Sequence, residues 1–244
     1  MHIIPAVDIK NGKAVRLLQG RRERETVYGD SPLAMALRWQ DAGATYLHVV
    51  DLDGAFDGES ENLPHLEQIL RQVKIPVEIG GGIRSLAKAR QLCDLGAAQV
   101  ILGTTALQNR TLLEEIVAAL PRRVSVGVDA KDGKVAVKGW TETGDKNAED
   151  FLRELSALPL ANIIYTDIAR DGALQGVNVE ALRRAASISR IPLIASGGVT
   201  APADIRALAP LPLFGIITGK ALYDGRMTLA EAMAALEEQL KIKN

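Results

Sequence analysis

Two aspartates stand in nearly the same peptide at distant points of this 244-residue chain. Asp8 lies in Val7-Asp8-Ile9-Lys10-Asn11-Gly12-Lys13, and Asp129 in Val128-Asp129-Ala130-Lys131-Asp132-Gly133-Lys134. A carboxyl group gives or takes a proton when its surroundings set a suitable pKa, and two of them across a substrate act as acid and base. Taken singly, each aspartate fits a helix cap or a loop equally well, and it is the repetition that favours a paired site. A third carboxylate, Asp171 in Thr166-Asp167-Ile168-Ala169-Arg170-Asp171-Gly172, is a rival for one of these roles. Its plainer reading is a turn aspartate before glycine.

Four glycine loops accompany the aspartates: Gly80-Gly81-Gly82-Ile83-Arg84, Gly103-Thr104-Thr105-Ala106, Ser196-Gly197-Gly198-Val199 and Thr218-Gly219-Lys220-Ala221. Glycine lets the main chain approach phosphate oxygens closely, and helix N-termini add oriented N–H donors. Any one of these loops is equally well a tight turn needing positive φ, but four symmetric ones imply two phosphate sites and a ligand with a phosphate at each end. Arg16 and Gln19 are within sequence reach of a phosphate or ribose, though Arg16 also fits a solvated surface position. Trp140, in Lys138-Gly139-Trp140, is either a stacking surface for a flat heterocycle or a plug over the site. His48, out of phase with its strand neighbours, reads as a packed structural histidine.

The elements needed to position these residues alternate. Strands are expected near 3–8, 46–51, 77–80, 100–103, 124–129, 163–167, 193–196 and 215–218, with helices near 32–42, 63–72, 86–95, 111–120, 147–157, 179–189, 202–208 and 229–240. Such alternation is the signature of βαβ units on a parallel sheet. Asp51 and Asp167, Gly81 and Gly197, and Gly103 and Gly219 are each 116 residues apart, and Asp8 and Asp129 are 121 apart. One set of four βα units is therefore used twice. The expected fold is α/β, a (β/α)8 TIM barrel built from two duplicated (β/α)4 halves, with residues 1–244 as a single domain. Glycines and aspartates gather after the strands, which puts the site at the carboxyl ends. Asp30-Ser31-Pro32 and Thr200-Ala201-Pro202 look like helix starts.

Composition narrows the partners. Lys and Arg total 29 against 30 Asp and Glu, so no broad basic field exists for nucleic acid or an anionic membrane. No apolar run approaches the roughly 18 residues of a membrane span, and the chain opens on a strand rather than a secretion signal. Cys93, the single cysteine, reads as core and suits a reducing compartment, so a cytoplasmic location is expected. The three histidines, His2, His48 and His65, form no metal-ligand cluster in sequence. Neither a P-loop lysine motif nor a dinucleotide-binding glycine fingerprint is present. A small-molecule bisphosphate is the expected partner, and a monomer the expected state.

The runs Pro5-Ala6-Val7-Asp8-Ile9-Lys10-Asn11-Gly12, Val15-Arg16-Leu17-Leu18-Gln19-Gly20, His48-Val49-Val50-Asp51-Leu52-Asp53-Gly54-Ala55 and Gly80-Gly81-Gly82-Ile83-Arg84 resemble the histidine-biosynthesis barrel isomerases, the phosphoribosylformimino-aminoimidazole carboxamide ribotide isomerase family. So do Val128-Asp129, Lys138-Gly139-Trp140, Thr166-Asp167-Ile168, Arg170-Asp171-Gly172, Ser196-Gly197-Gly198 and Gly219-Lys220-Ala221, so the resemblance spans essentially the whole chain. It implies an Amadori rearrangement, aminoaldose to aminoketose, on the two-phosphate substrate ProFAR, giving PRFAR without metal or organic cofactor. It implies Asp8 as general base at the ribose C2 and Asp129 as general acid for ring opening, with Asp171 as the acid in some relatives. Thr166 resembles the family threonine near the reacting sugar, and Trp140 the aromatic that stacks on the carboxamide-imidazole. Three alternatives stay open: a bifunctional isomerase also acting on phosphoribosyl anthranilate, the sister cyclase, and a noncatalytic sugar-phosphate-binding barrel. Ala6 stands where the cyclase typically has cysteine.

Overall fold

The structure is a computed structural model that describes residues 1–58, 61–137, 140 and 142–242; Lys138 and Gly139 of the tryptophan motif lie outside it. Strand β1 (His2–Lys10) runs into an antiparallel hairpin, β2 (Lys13–Leu18) and β3 (Arg21–Gly29). Then come β4 (Leu47–Asp51), β5 (Val77–Gly80), β6 (Gln99–Leu102) and β7 (Val124–Lys131). β7 runs into a second antiparallel pair, β8 (Lys134–Val137) and β9 (Glu142–Asn147). β10 (Ile163–Asp167), β11 (Leu193–Ser196) and β12 (Leu213–Thr218) complete the set. The parallel strands pair in the order β1, β4, β5, β6, β7, β10, β11, β12, and β12 returns to β1, so the barrel closes with eight.

Eight helices fall where the sequence pattern puts them: α1 (Pro32–Asp41), α3 (Leu63–Gln72), α4 (Leu86–Asp94), α6 (Arg110–Ala119), α7 (Ala148–Leu155), α8 (Val179–Ile188), α9 (Pro202–Leu208) and α11 (Leu229–Ile242). Ser31 caps α1 by accepting the Ala34 N–H. At α9 the cap differs from expectation. Thr200 is not the acceptor; the Asp204 carboxylate folds back on the N–H groups of Thr200 and Ala201 and on the Thr200 hydroxyl. Three short helices were not anticipated: α2 (Leu52–Asp57), α5 (Thr104–Gln108) and α10 (Lys220–Tyr223). Each begins directly at the carboxyl end of a strand or one residue past it, and so belongs to the loops that shape the site.

Both hairpins have one cause. Asn11 and Gly12 at φ 48° and 72°, and Asp132 and Gly133 at φ 51° and 78°, form two left-handed two-residue turns. This is the backbone that Asn-Gly and Asp-Gly favour and that matches the twist of antiparallel strands. The repeated peptide therefore encodes a strand, its carboxylate and the turn after it. Inside the barrel, Ile4, Ala6, Tyr46, Ile101, Ile164, Ile194 and Ile217 pack with Phe214. The larger core, including Val7, Val49, Ile79 and Val128, lies between strands and helices, and Cys93 is buried in it. Successive residues of a strand face opposite sides, so Asp8 shares the interior side of β1 with Ile4 and Ala6.

The double-glycine loops are fixed by packing. A Cβ on Gly81 would lie 2.0 Å from the Asp51 carbonyl oxygen, and one on Gly197 2.6 Å from that of Asp167, both at positive φ. Tight packing on the main chain at positive φ is thus enough to require both glycines. Gly81→Ala and Gly197→Ala are each expected to destabilise by roughly 2–4 kcal/mol, whereas Gly133→Ala, strained but in open space, costs about 1–2 kcal/mol. Urea unfolding midpoints of the three variants check this ranking.

Candidate active site

β1 and β7 are four places apart in the eight-strand ring, so Asp8 and Asp129 face each other across its mouth. The turn at Asn11 and Gly12 folds β2 back so that Val15 lies opposite Asp8. That register delivers the next residue, Arg16, to the Asp8 carboxylate at 2.8 Å. Arg16 is only 8% exposed, far from the solvated position weighed for it. Its Nε has no hydrogen-bond partner among the described residues. A Cβ at Gly219 would lie 2.3 Å from its Nη2, so the eighth-strand loop needs glycine to admit the guanidinium.

Asp129 pairs in register with Thr166 of β10, and the side chains of Thr166 and Trp140 both hydrogen-bond to its carboxylate. Burial pushes the Asp129 carboxyl pKa up, and those two bonds together with the nearby His48 pull it back in part. Asp171 is also pushed up, to about 6. Burial is the main cause; the negative charges of Asp8 and Asp129 add to it, while Arg16 and His48 oppose it. A carboxyl group in that range carries a proton near neutrality often enough to donate one.

The loops meet over the mouth. Gln19, between β2 and β3, donates its main-chain N–H to the Asp171 carbonyl at 3.2 Å and its side-chain amide to the Ala169 carbonyl at 2.9 Å. The Trp140 ring lies against Gly20, where a Cβ would come within 2.5 Å of it. Trp140 therefore stands at the site with its side chain hydrogen-bonded to Asp129 and its ring covering the first hairpin. Arg22, at the start of β3, pairs with Asp57 at 2.8 Å and stacks over Phe56, anchoring the hairpin to α2.

The glycine loops divide into two kinds. Gly82 and Gly198, like Gly81 and Gly197, press against neighbouring main chain, at Gly54 and Gly176 respectively. Gly103 has open space around it, and Gly219 meets only Arg16. Open space thus lies over Gly103, followed by Thr104 at the start of α5, while the Arg16 guanidinium stands over Gly219. A cavity of about 20 Å³ lies among Arg16, Asp171, Gly197, Gly198, Gly219 and Lys220, room for about one water-sized group. Lys220 borders it but is turned to Asp224 at 2.7 Å and to the Tyr28 hydroxyl at 3.3 Å.

Other residues fall into place around this mouth. His48 is packed, but on the interior side, where its Nδ1 lies 2.6 Å from the Glu78 carboxylate. Glu78 was not singled out in the sequence, and its inward position after a two-residue step from Gly80 was the available signal. Asp51 and Asp167 face away from the barrel centre and bind Asn62 and Asn178 at 2.8 and 3.0 Å, a pair of loop anchors repeated in both halves. Among the described residues no group of three or more His, Cys, Asp or Glu side chains is placed to hold a metal ion. No helix there is long and apolar enough to cross a membrane.

The sequence profile described as "Histidine biosynthesis protein" matches residues 2–228. The chain belongs to that family. Relatives align over nearly its whole length. A protein of Rippkaea orientalis is 48% identical, covering 97% of this chain and 93% of its own. One of Ruegeria sp. is 48% identical over 97% and 100%, and one of Persephonella marina 46% over 94% and 96%. The first and third are named 1-(5-phosphoribosyl)-5-((5-phosphoribosylamino)methylideneamino) imidazole-4-carboxamide isomerase, and the Ruegeria protein bears the same name as isomerase 2.

The raised Asp171 carboxyl has a sign that unfolding experiments read. Because its pKa rises on folding from 3.8 to about 6, the folded state binds the proton more tightly between those values. Its contribution to stability is therefore present at low pH and lost as pH rises toward and through about 6. Asp171→Asn should gain stability relative to the parent over that interval and level off above it. Parallel urea midpoints for both proteins across the pH series would remove the assignment.

Proposed function

We propose that this chain is an aldose–ketose isomerase that carries out the Amadori rearrangement of ProFAR to PRFAR. The observation that carries the reading is the pairing of two interior carboxylates, Asp8 and Asp129, across a mouth whose opposite rims present Gly103 and Gly219. A ligand with a phosphate on each of those rims has its middle between the two carboxylates. The names of the relatives describe such a bisphosphorylated molecule. Arg16, Thr104 and Lys220, with Gly81, Gly82, Gly197 and Gly198 shaping the loops, form the rest of the proposed binding surface.

The chemistry needs only proton transfers. A donor protonates the furanose ring oxygen of the aminoaldose, the C1–O bond breaks, and an iminium forms at C1. Asp8 then removes the C2 proton and the electron pair moves to give an enolamine; Asp8 returns its proton to C1 while the C2 hydroxyl gives its proton to the now-anionic donor, leaving the C2 ketone. Atoms and charge balance without a cofactor, so none is assigned. Arg16, 2.8 Å from the Asp8 carboxylate, holds that side chain in place at the mouth. Trp140 stacks on the carboxamide-imidazole, and Thr166 steadies Asp129 beside the sugar.

By resemblance Asp129 is the donor. A second reading gives that role to Asp171, and one contrast favours it: Asp129 accepts bonds from Trp140 and Thr166, which stabilise its anion, while Asp171 is pushed to about 6. The same proposal makes the protein a cytoplasmic monomer with no nucleic-acid or membrane partner.

Asp8→Asn is expected to abolish turnover while keeping bisphosphate affinity within about tenfold, as measured by steady-state assay and calorimetric titration. Normal turnover in the folded variant would refute the base assignment. For the donor, pH–rate profiles of Asp129→Asn and Asp171→Asn decide: the variant that alone loses the limb requiring a protonated acid identifies it. Offering the aminoaldose bisphosphate, the ketose with ammonia, and phosphoribosyl anthranilate separately should give reaction with the first. Reaction with the ketose and ammonia alone would favour the cyclase, and none at all the binding barrel.

A further inference from the structure

The two halves repeat the same framework, yet one space that is filled in the first half is open in the second. In the first, the Asn11-Gly12 turn is tied down on α2 and α3: Asp53 accepts the Asn11 N–H at 2.7 Å, Asn62 accepts the Gly12 N–H at 3.0 Å, and the His65 ring lies against Gly12. Positions 116 residues later carry smaller side chains, Ala169 for Asp53, Ala181 for His65 and Ala185 for Ile69. There the Asp132-Gly133 turn is exposed, and a Cβ on Gly133 would meet nothing within 4 Å. The result is a cavity of about 400 Å³ outside the barrel, between α7 and α8 and behind the loop that follows β10. That is the size of an ordinary small-molecule pocket.

Its chemistry is mixed rather than apolar. Tyr165 replaces Val49 and brings a hydroxyl into the cavity wall; the residue is only 8% exposed, and that hydroxyl has no hydrogen-bond partner among the described residues. Arg184 lies on the wall with its Nε 3.8 Å from Glu149 and its Nη1 3.8 Å from Glu180, both too far for a hydrogen bond, so the guanidinium keeps donors to spare. Glu149, beside Arg184, together with Asp132 and Asp167 supplies negative charge to the lining. Leu152, Ala181 and Ala185 give an apolar floor.

We propose that this cleft binds a small zwitterion, a free α-amino acid with an uncharged side chain. Its carboxylate meets Arg184 and the Tyr165 hydroxyl, its ammonium meets Glu149 and Asp132, and its side chain covers the alanine floor. A molecule with only one of the two charges leaves the lining groups of one sign without a partner, which is the source of selectivity. The site is separate from the barrel mouth, so it stands or falls independently of the isomerase reading.

The test is saturation-transfer NMR on the full-length protein with L-leucine and L-phenylalanine, and with isoamylamine and 4-methylpentanoate as the amine and acid alone. Saturable binding in the millimolar range is expected for the two amino acids, with each single-charge analogue weaker by about tenfold. Ala181→His with Ala185→Ile, which fills the cleft as the first half does, should abolish the signal. Arg184→Gln, a surface change that leaves the fold alone, should weaken it about tenfold. Catalytic turnover without amino acid should be unchanged in both variants. Absence of binding by both amino acids, or binding that survives both variants, would overturn the proposal.

Discussion

The site depends on a buried guanidinium. Arg16 stands against Asp8, within the field of Asp171, and directly over Gly219, and almost none of it reaches water. Burying a charge is costly unless it is paired, and here the pairing comes from the carboxylate proposed as base. The arrangement also explains why the first hairpin exists. Without the Asn11-Gly12 turn, β2 would not fold back on β1, and Arg16 would not arrive beside Asp8.

From that constraint the rest of the mouth follows. Three carboxyl groups, Asp8, Asp129 and Asp171, share one enclosed space, and like charges cannot all ionise there without cost. Arg16 and His48 offset part of that repulsion, and hydrogen bonds from Trp140 and Thr166 favour the anion of Asp129. At Asp171 burial and the charges of Asp8 and Asp129 outweigh Arg16 and His48, and its pKa rises to about 6. Position in the ring thus makes the two repeated aspartates alike in geometry, while the loops make their environments different.

Much of this was legible in the sequence because it depends on local patterns. The alternation of strand and helix, the constant spacing of Asp51 with Asp167 and Gly81 with Gly197, and the clustering of polar residues after strands led directly to a duplicated barrel. The hairpins were missed although their signal was present, since Asn11-Gly12 and Asp132-Gly133 are strong two-residue turn sequences. The double glycines were legible as special but not as to cause. Only the structure separates Gly81 and Gly197, pressed on main chain, from Gly103, in open space, and Gly219, covered by the Arg16 guanidinium. Burial of Arg16 and the pairing of His48 with Glu78 are tertiary facts that no spacing in the chain encodes.

The central claim is that a two-ended phosphate ligand lies across the mouth with its reacting carbon at Asp8. The most direct measurement is a crystal structure of the Asp8→Asn protein holding unreacted ProFAR. The account predicts one phosphate over Gly103, the other over Gly219 beside Arg16, and the ribose C2 within about 3–3.5 Å of the side-chain amide that replaces the Asp8 carboxylate. Phosphates bound elsewhere, or a C2 atom facing away from that amide, would contradict it.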